Sequence, residues 1–162
     1  MTRTAFRLAA IATLCLLALL GAGCGGDDDP TATAGIDDTL TAAEWRTRAD
    51  AICTDAKSKL DALGEPTEAG IVDFLQKGLA IATERADKIA ALQPPAELAA
   101  TQSKAVALLR DTNAKIQSAA DKITAGTPPQ EAVGEADPEI TKNDEELDAL
   151  AKEAGLTVCG SD

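Results

Sequence analysis

Apolar residues recur at three- and four-residue steps through four separate segments, and a glycine or proline signal closes each of them. That period confines the chain to helices, because steps of three and four gather on one side of a helix and scatter on a strand. The first segment opens at Thr41-Ala42-Ala43-Glu44, a capping box in which Thr41 can accept from the Glu44 amide while the Glu44 carboxylate reaches back. Leu40 and Trp45 stand where a hydrophobic staple would close over that cap. Trp45, Ala49, Ile52, Cys53, Ala56, Leu60 and Leu63 form the apolar face, and Gly64 and Pro66 stop the helix.

The second helix is predicted from near Thr67, with Ile71, Phe74, Leu75, Gly78, Ala82, Ala86, Ile89 and Leu92 on its apolar face. Pro94-Pro95 ends it, since proline disfavours helix in the residue before it. Pro95 is predicted as the first residue of helix three, along which Leu98, Ala105, Leu109, Thr112, Ile116, Ala119 and Ile123 repeat. Gly126 and Pro128-Pro129 close that helix, and residues 130–136 read equally as a single helical turn or a loop. Asp137-Pro138-Glu139 predicts a cap, a first-position proline and a first-turn acid for helix four. Ile140, Leu147, Leu150, Ala151 and Ala154 continue that helix to a left-handed stop at Gly155. Residues 156–159 are predicted as a short extended tail. Four such segments on short connections predict an all-α, antiparallel four-helix bundle over residues 40–160.

Residues 1–23 carry the marks of a secretory signal peptide: Arg3 and Arg7, a 13-residue apolar run over residues 8–20, then Gly21-Ala22-Gly23 before Cys24. The run is shorter than the roughly 20 residues of a membrane span. Leu20-Gly21-Ala22-Gly23-Cys24 resembles the lipobox of bacterial lipoproteins, with Gly21 where that family prefers leucine. The resemblance implies a diacylglyceryl group on the Cys24 thiol and cleavage before it; an ordinary secreted protein or an uncleaved anchor is the alternative. Residues 24–39, rich in Gly, Asp, Thr and Ala, then read as a flexible acidic tether. The predicted location is the outer face of the cell membrane, held by lipid. With Cys15 removed and Cys24 acylated, Cys53 and Cys159 are left to pair outside the cytoplasm.

Loss of Arg3 and Arg7 leaves 13 of the 15 basic residues against 27 acidic ones, a formal charge of −14. Such a surface repels phosphate backbones, so nucleic acid is not expected as a partner. No cofactor or metal is expected either. With no histidine, the chain lacks both the usual base of nucleophilic catalysis and histidine-bearing zinc sites. Ser58, Ser103, Ser118 and Ser161 lie in no catalytic motif. A carboxylate pair is the one catalytic arrangement that the composition leaves open. Gly21-Ala22-Gly23-Cys24-Gly25-Gly26 spells the dinucleotide pattern GxGxxG, but Asp27-Asp28-Asp29 follows where a helix should receive a pyrophosphate. A calcium loop counted from Asp27 has Ala32 in place of its glycine and Asp38 in place of its glutamate. Asp144, Glu145, Glu146 and Asp148 read as the solvated side of helix four. Arg85, the one charge near the second helix's stripe, reads as a packed stem with its head at water or an acid, or else as a clamp for a ligand carboxylate.

Trp45 before the Ala49-to-Cys53 step, Leu92-Gln93-Pro94-Pro95 and Gly155-Leu156-Thr157-Val158-Cys159 together resemble small helical lipoproteins of high-GC, actinobacterial type. That group implies a disulfide-linked helical fold and no assigned activity. The anchor, the tether and the missing catalytic chemistry lead to the expected function, a non-catalytic envelope module held in the membrane by the lipid on Cys24, which binds an envelope protein as partner or organises the cell surface. The alternative is a carrier that holds a small apolar ligand in a cavity between helices two and three, at Phe74, Gly78, Ile81 and Ile116.

Overall fold

The Thr41 hydroxyl accepts from the Glu44 amide at 3.3 Å, and the Glu44 carboxylate accepts from the Thr41 amide at 3.0 Å. The capping box thus starts α1, Ala42–Asp61, in a computed structural model that describes residues 39–160. A single 3-10 turn, Glu68–Gly70, leads into α2, Ile71–Ala90, followed by α3, Ala96–Thr124, and α4, Pro129–Ala154. No strand occurs among the described residues, and no helix there is long and apolar enough to cross a membrane. The expected signal peptide, Cys24, the expected tether up to Asp38 and the two motifs rejected between Gly21 and Asp38 lie outside the described residues.

Two boundaries differ from the sequence expectation. Pro95 is the cap that precedes α3 rather than its first residue, with an extended backbone at φ −65° and ψ 157°. More substantially, α4 begins at Pro129 and runs unbroken through residues 130–136, with Pro138 inside it. An interior proline costs a helix about 3 kcal/mol, because it lacks the amide and its ring crowds the carbonyl four residues back. Here that position is Gly134, which is exposed, so water can reach its carbonyl. Packing of Ala132, 1% exposed, and Ile140 against the rest of the bundle favours continuing the helix. Ion pairs from Lys122 to Glu135 and from Lys115 to Glu139 bind α4 to α3 on both sides of the proline. With Lys104 and Glu146 at 2.5 Å they form an antiparallel ladder.

Helix α3 packs closely on both α2 and α4, whereas α1 packs closely on α2 and not on α4. Two apolar clusters fill the bundle. One gathers Trp45, Ala49, Leu98 and Ala154 near the start of α1; the other gathers Cys53, Ala86, Ile89, Val106 and Leu109 at mid-height. The staple closes as expected, with Leu40 against the Trp45 cluster. At the same end the Arg46 Nε donates to the Ala154 carbonyl at 2.6 Å, which satisfies the C-terminus of α4 and fixes it beside the start of α1.

The flank between α1 and α4 is closed by the chain that follows α4. Gly155 takes a left-handed conformation at φ 74°, and the Leu156 amide donates back to the Ala151 carbonyl at 2.9 Å. Residues 157–160 then bend and turn instead of extending. They wedge between the two helices: Cys159 is disulfide-bonded to Cys53 of α1, with Cα atoms 5.3 Å apart, and Gly160 lies so close to α4 that a Cβ there would meet the Ala151 methyl at 2.8 Å. A straight tail could not reach both.

A central cleft between the helices

Gly78 stands at the middle of α2, where glycine costs roughly 1 kcal/mol relative to alanine. Crowding does not explain it, since a Cβ built there would meet only the Leu60 Cδ2, at 3.8 Å. What lies beside it is open space: a cleft of about 330 Å³ whose wall is made by Phe74, Leu75, Gly78 and Leu79 of α2, Ile116 of α3 and Leu60 of α1. The lower half of the α2 stripe, expected in a closed core, is thus half-buried along this cleft, while Ala86 and Ile89 above it are buried. The G78A protein is expected to be about 0.5–1 kcal/mol more stable to urea, with its helical spectrum unchanged. A loss of stability would mean that the backbone at Gly78 is not ordinary helix.

Of the four residues expected around a cavity, Phe74, Gly78 and Ile116 meet at the cleft and Ile81 does not. Three residues beyond Gly78, Ile81 has turned towards α1, where it faces Ile52 and Ala56 in a seam with no free volume. Helical geometry is the reason, because a step of three falls 60° short of a full turn. Leu60, Leu75 and Leu79 are lining residues that the sequence reading placed elsewhere or left out.

Above the cleft a second space of about 90 Å³ reaches up towards Trp45. Arg85, Asp144, Cys53 and Cys159 line both spaces, so the disulfide and two opposite charges sit where they adjoin. Asp144, Glu145 and Asp148 are exposed on α4, as expected for its solvated side, with Asp144 and Asp148 at the edge of this space, while Glu146 is half-buried facing Lys104. Arg85 is half-buried with its Nε inside the protein.

Two buried polar residues escaped the sequence reading. Gln102, 7% exposed, accepts from the Trp45 Nε1 at 2.5 Å and donates to the Leu92 carbonyl at 3.0 Å, joining α1, α3 and the α2–α3 connection. Asn143, 8% exposed, donates to Asp111 at 2.8 Å and to Thr112 at 3.3 Å, joining α4 to α3. The signal was spacing: Gln102 falls four after Leu98 and three before Ala105, and Asn143 three after Ile140 and four before Leu147.

Asp50 holds the tail that closes the cleft on one side. Its half-buried carboxylate accepts the amides of Thr157 at 3.0 Å, Val158 at 2.9 Å and Cys159 at 3.3 Å, and the Thr157 hydroxyl at 2.8 Å. Burial raises the pKa of this carboxyl, but the amides of Val158 and Thr157, the Thr157 hydroxyl and the Cys159 amide outweigh it, so the net shift is downward. A lowered folded-state pKa stabilises the fold above the unfolded value, near pH 4, and that contribution is lost as the pH falls through the folded value. The D50N substitution is expected to cost about 1–2 kcal/mol at pH 7. Its penalty should shrink as the pH falls through the lowered folded-state pKa of Asp50. A pH-independent penalty would show that the charge is immaterial.

The fold and the cleft together define a class, the disulfide-closed helical bundle with a cleft between its helices. No protein family, curated protein or solved structure matches the chain. Among the described residues, no group of three or more Cys, Asp or Glu side chains is placed to hold a metal ion.

Proposed function

We propose that the protein is a lipid-anchored, non-catalytic binding module of the cell envelope, and that it carries a small, largely apolar ligand in the central cleft. The observation that carries this reading is the cleft itself. At about 330 Å³ it falls within the usual range for ligand sites, roughly 300–1,000 Å³. Leu60, Phe74, Leu75, Leu79 and Ile116 give it an apolar side, and it keeps a helix-weakening glycine that packing does not require. A protein-docking role has less support: the large apolar side chains exposed among the described residues are Leu60 and Val133, and Leu60 belongs to the rim of the cleft.

Attachment to the membrane rests on Cys24 and the signal-like residues before it. The C24S chain is expected in the soluble fraction, and the Cys24 chain in the membrane fraction with an acylated N-terminal cysteine by mass spectrometry. Occupation of the cleft is testable with 1-anilinonaphthalene-8-sulfonate, a dye that fluoresces in apolar surroundings. The purified chain should enhance its fluorescence saturably at one site. I116W, which places an indole in the cleft, should weaken that binding by about tenfold or more while the helical spectrum stays unchanged. Equal dye binding by I116W and the parent would remove the cleft as the site.

A further inference from the structure

The free volume does not end at the disulfide. The space above the cleft shares Cys53, Arg85, Asp144 and Cys159 with it, so a single layer of side chains is the most that lies between the two. Their shapes differ. The cleft holds about 330 Å³ and runs beside α2 from Phe74 to Arg85, eleven residues, about 16 Å at the rise of an α-helix. The upper space holds about 90 Å³, yet its lining runs from Trp45 to Cys53 on α1 and from Thr101 to Leu109 on α3, eight residues each, about 12 Å. It is long for its volume, wide enough for a single file of carbon atoms and too narrow for a ring.

The surrounding core leaves this space unfilled because Ala49, Ala105, Ala151 and Ala154 line it with side chains too short to reach across. Trp45, Ile89, Leu109 and Leu147 present apolar surface to it, and the carboxylates at its edge, Asp144 and Asp148, are exposed. Apolar surface left without neighbours weakens a fold, and an apolar occupant offsets that loss.

We infer that the ligand is an unbranched, single-chain amphiphile whose body lies in the cleft and whose chain end passes the disulfide into the upper space. Trp45 and Leu60 are fifteen residues apart on α1, about 22 Å, and Leu60 lies beside Gly78. The two spaces in line therefore take a longer extended chain than the cleft alone. A branched or fused-ring ligand would occupy the cleft and leave the upper space empty. Ala105, by its small side chain, sets how far the chain end reaches. This rests on the cleft being the binding site, as proposed above.

Displacement of 1-anilinonaphthalene-8-sulfonate from the purified chain by decanoate, dodecanoate, tetradecanoate and hexadecanoate, below micelle-forming concentrations, tests the inference. The carboxylate is common to the series, so differences in affinity report the chain. Each methylene that becomes buried tightens binding by up to about fourfold. Hexadecanoate should therefore bind at least about tenfold more tightly than dodecanoate, which the cleft alone can hold. A105L and T101L, which fill the upper space from α3, should each reduce that gain to about twofold or less while leaving dodecanoate affinity unchanged. Both residues are half-buried and stand one turn apart, so either variant serves should the other fail to fold. Lithocholate, a rigid fused-ring acid, should bind more weakly than hexadecanoate. Equal affinity for dodecanoate and hexadecanoate, a gain that neither variant reduces, or tighter binding of lithocholate overturns the inference and leaves the cleft reading in place. Dye binding and displacement that I116W leaves unchanged would remove both.

Discussion

Replacing Cys53 and Cys159 together by serine is expected to lower the unfolding free energy by about 2–5 kcal/mol. Two effects combine. The bond closes 106 residues of chain, nearly the whole described domain, so its removal releases a large loop in the unfolded state. In the chain-entropy account a loop of about that length is worth close to 4.7 kcal/mol. The folded state is weakened as well, because α1 packs closely on α2 and not on α4, and residues 157–160 bridge the open flank. Without the bond, the Asp50 carboxylate and the Gly160 contact are left to hold that bridge. Urea titration with far-UV circular dichroism reads the effect. The serine variant should unfold at a lower midpoint, and reduction of the parent should reproduce the shift. Coincident midpoints would mean that the bundle does not depend on its covalent closure.

The W45A variant should lose about 3–5 kcal/mol. Trp45 is 2% exposed and supplies the largest side chain of the upper apolar cluster, in a bundle whose other core residues include many alanines. Truncation leaves a cavity that alanine neighbours are too short to fill. It also removes the indole donor to Gln102, leaving a buried amide oxygen without that bond, which makes up about 1–3 kcal/mol of the loss. W45F separates the two terms: it keeps an aromatic ring and loses the donor, and should cost about 1–3 kcal/mol. Trp45 is the one tryptophan of the chain, so circular dichroism rather than intrinsic fluorescence must follow both variants. Equal stability of W45F and the parent would show that the Trp45–Gln102–Leu92 relay contributes nothing.

Much of the fold was legible because its signals are local. The capping box at Thr41, the left-handed stop at Gly155 and the apolar period of α1 each depend on a few neighbouring residues, and each is present in the structure. Pro138 misled for the same reason. Its local preference favours a helix start, and only the contacts of α4 with α3 outweigh it, with ion pairs on both sides of the proline. Along α2 the apolar stripe was readable, but not which part of it would be covered. Covering depends on how far apart α1, α3 and α4 stand at each height, and that is not a property of α2.

From its own order of residues the chain settles four helices, their approximate ends and a single available thiol pair within the helical domain. Spacing, caps and cysteine number act over a turn or two of backbone, or need only a count. Separation between helices is decided elsewhere, by the summed packing of side chains far apart along the chain. That sum leaves α1 without close packing on α4 beyond their contact at Trp45, Ala49 and Ala154, draws residues 157–160 into the gap and turns Ile81 out of the cleft that Phe74, Gly78 and Ile116 share.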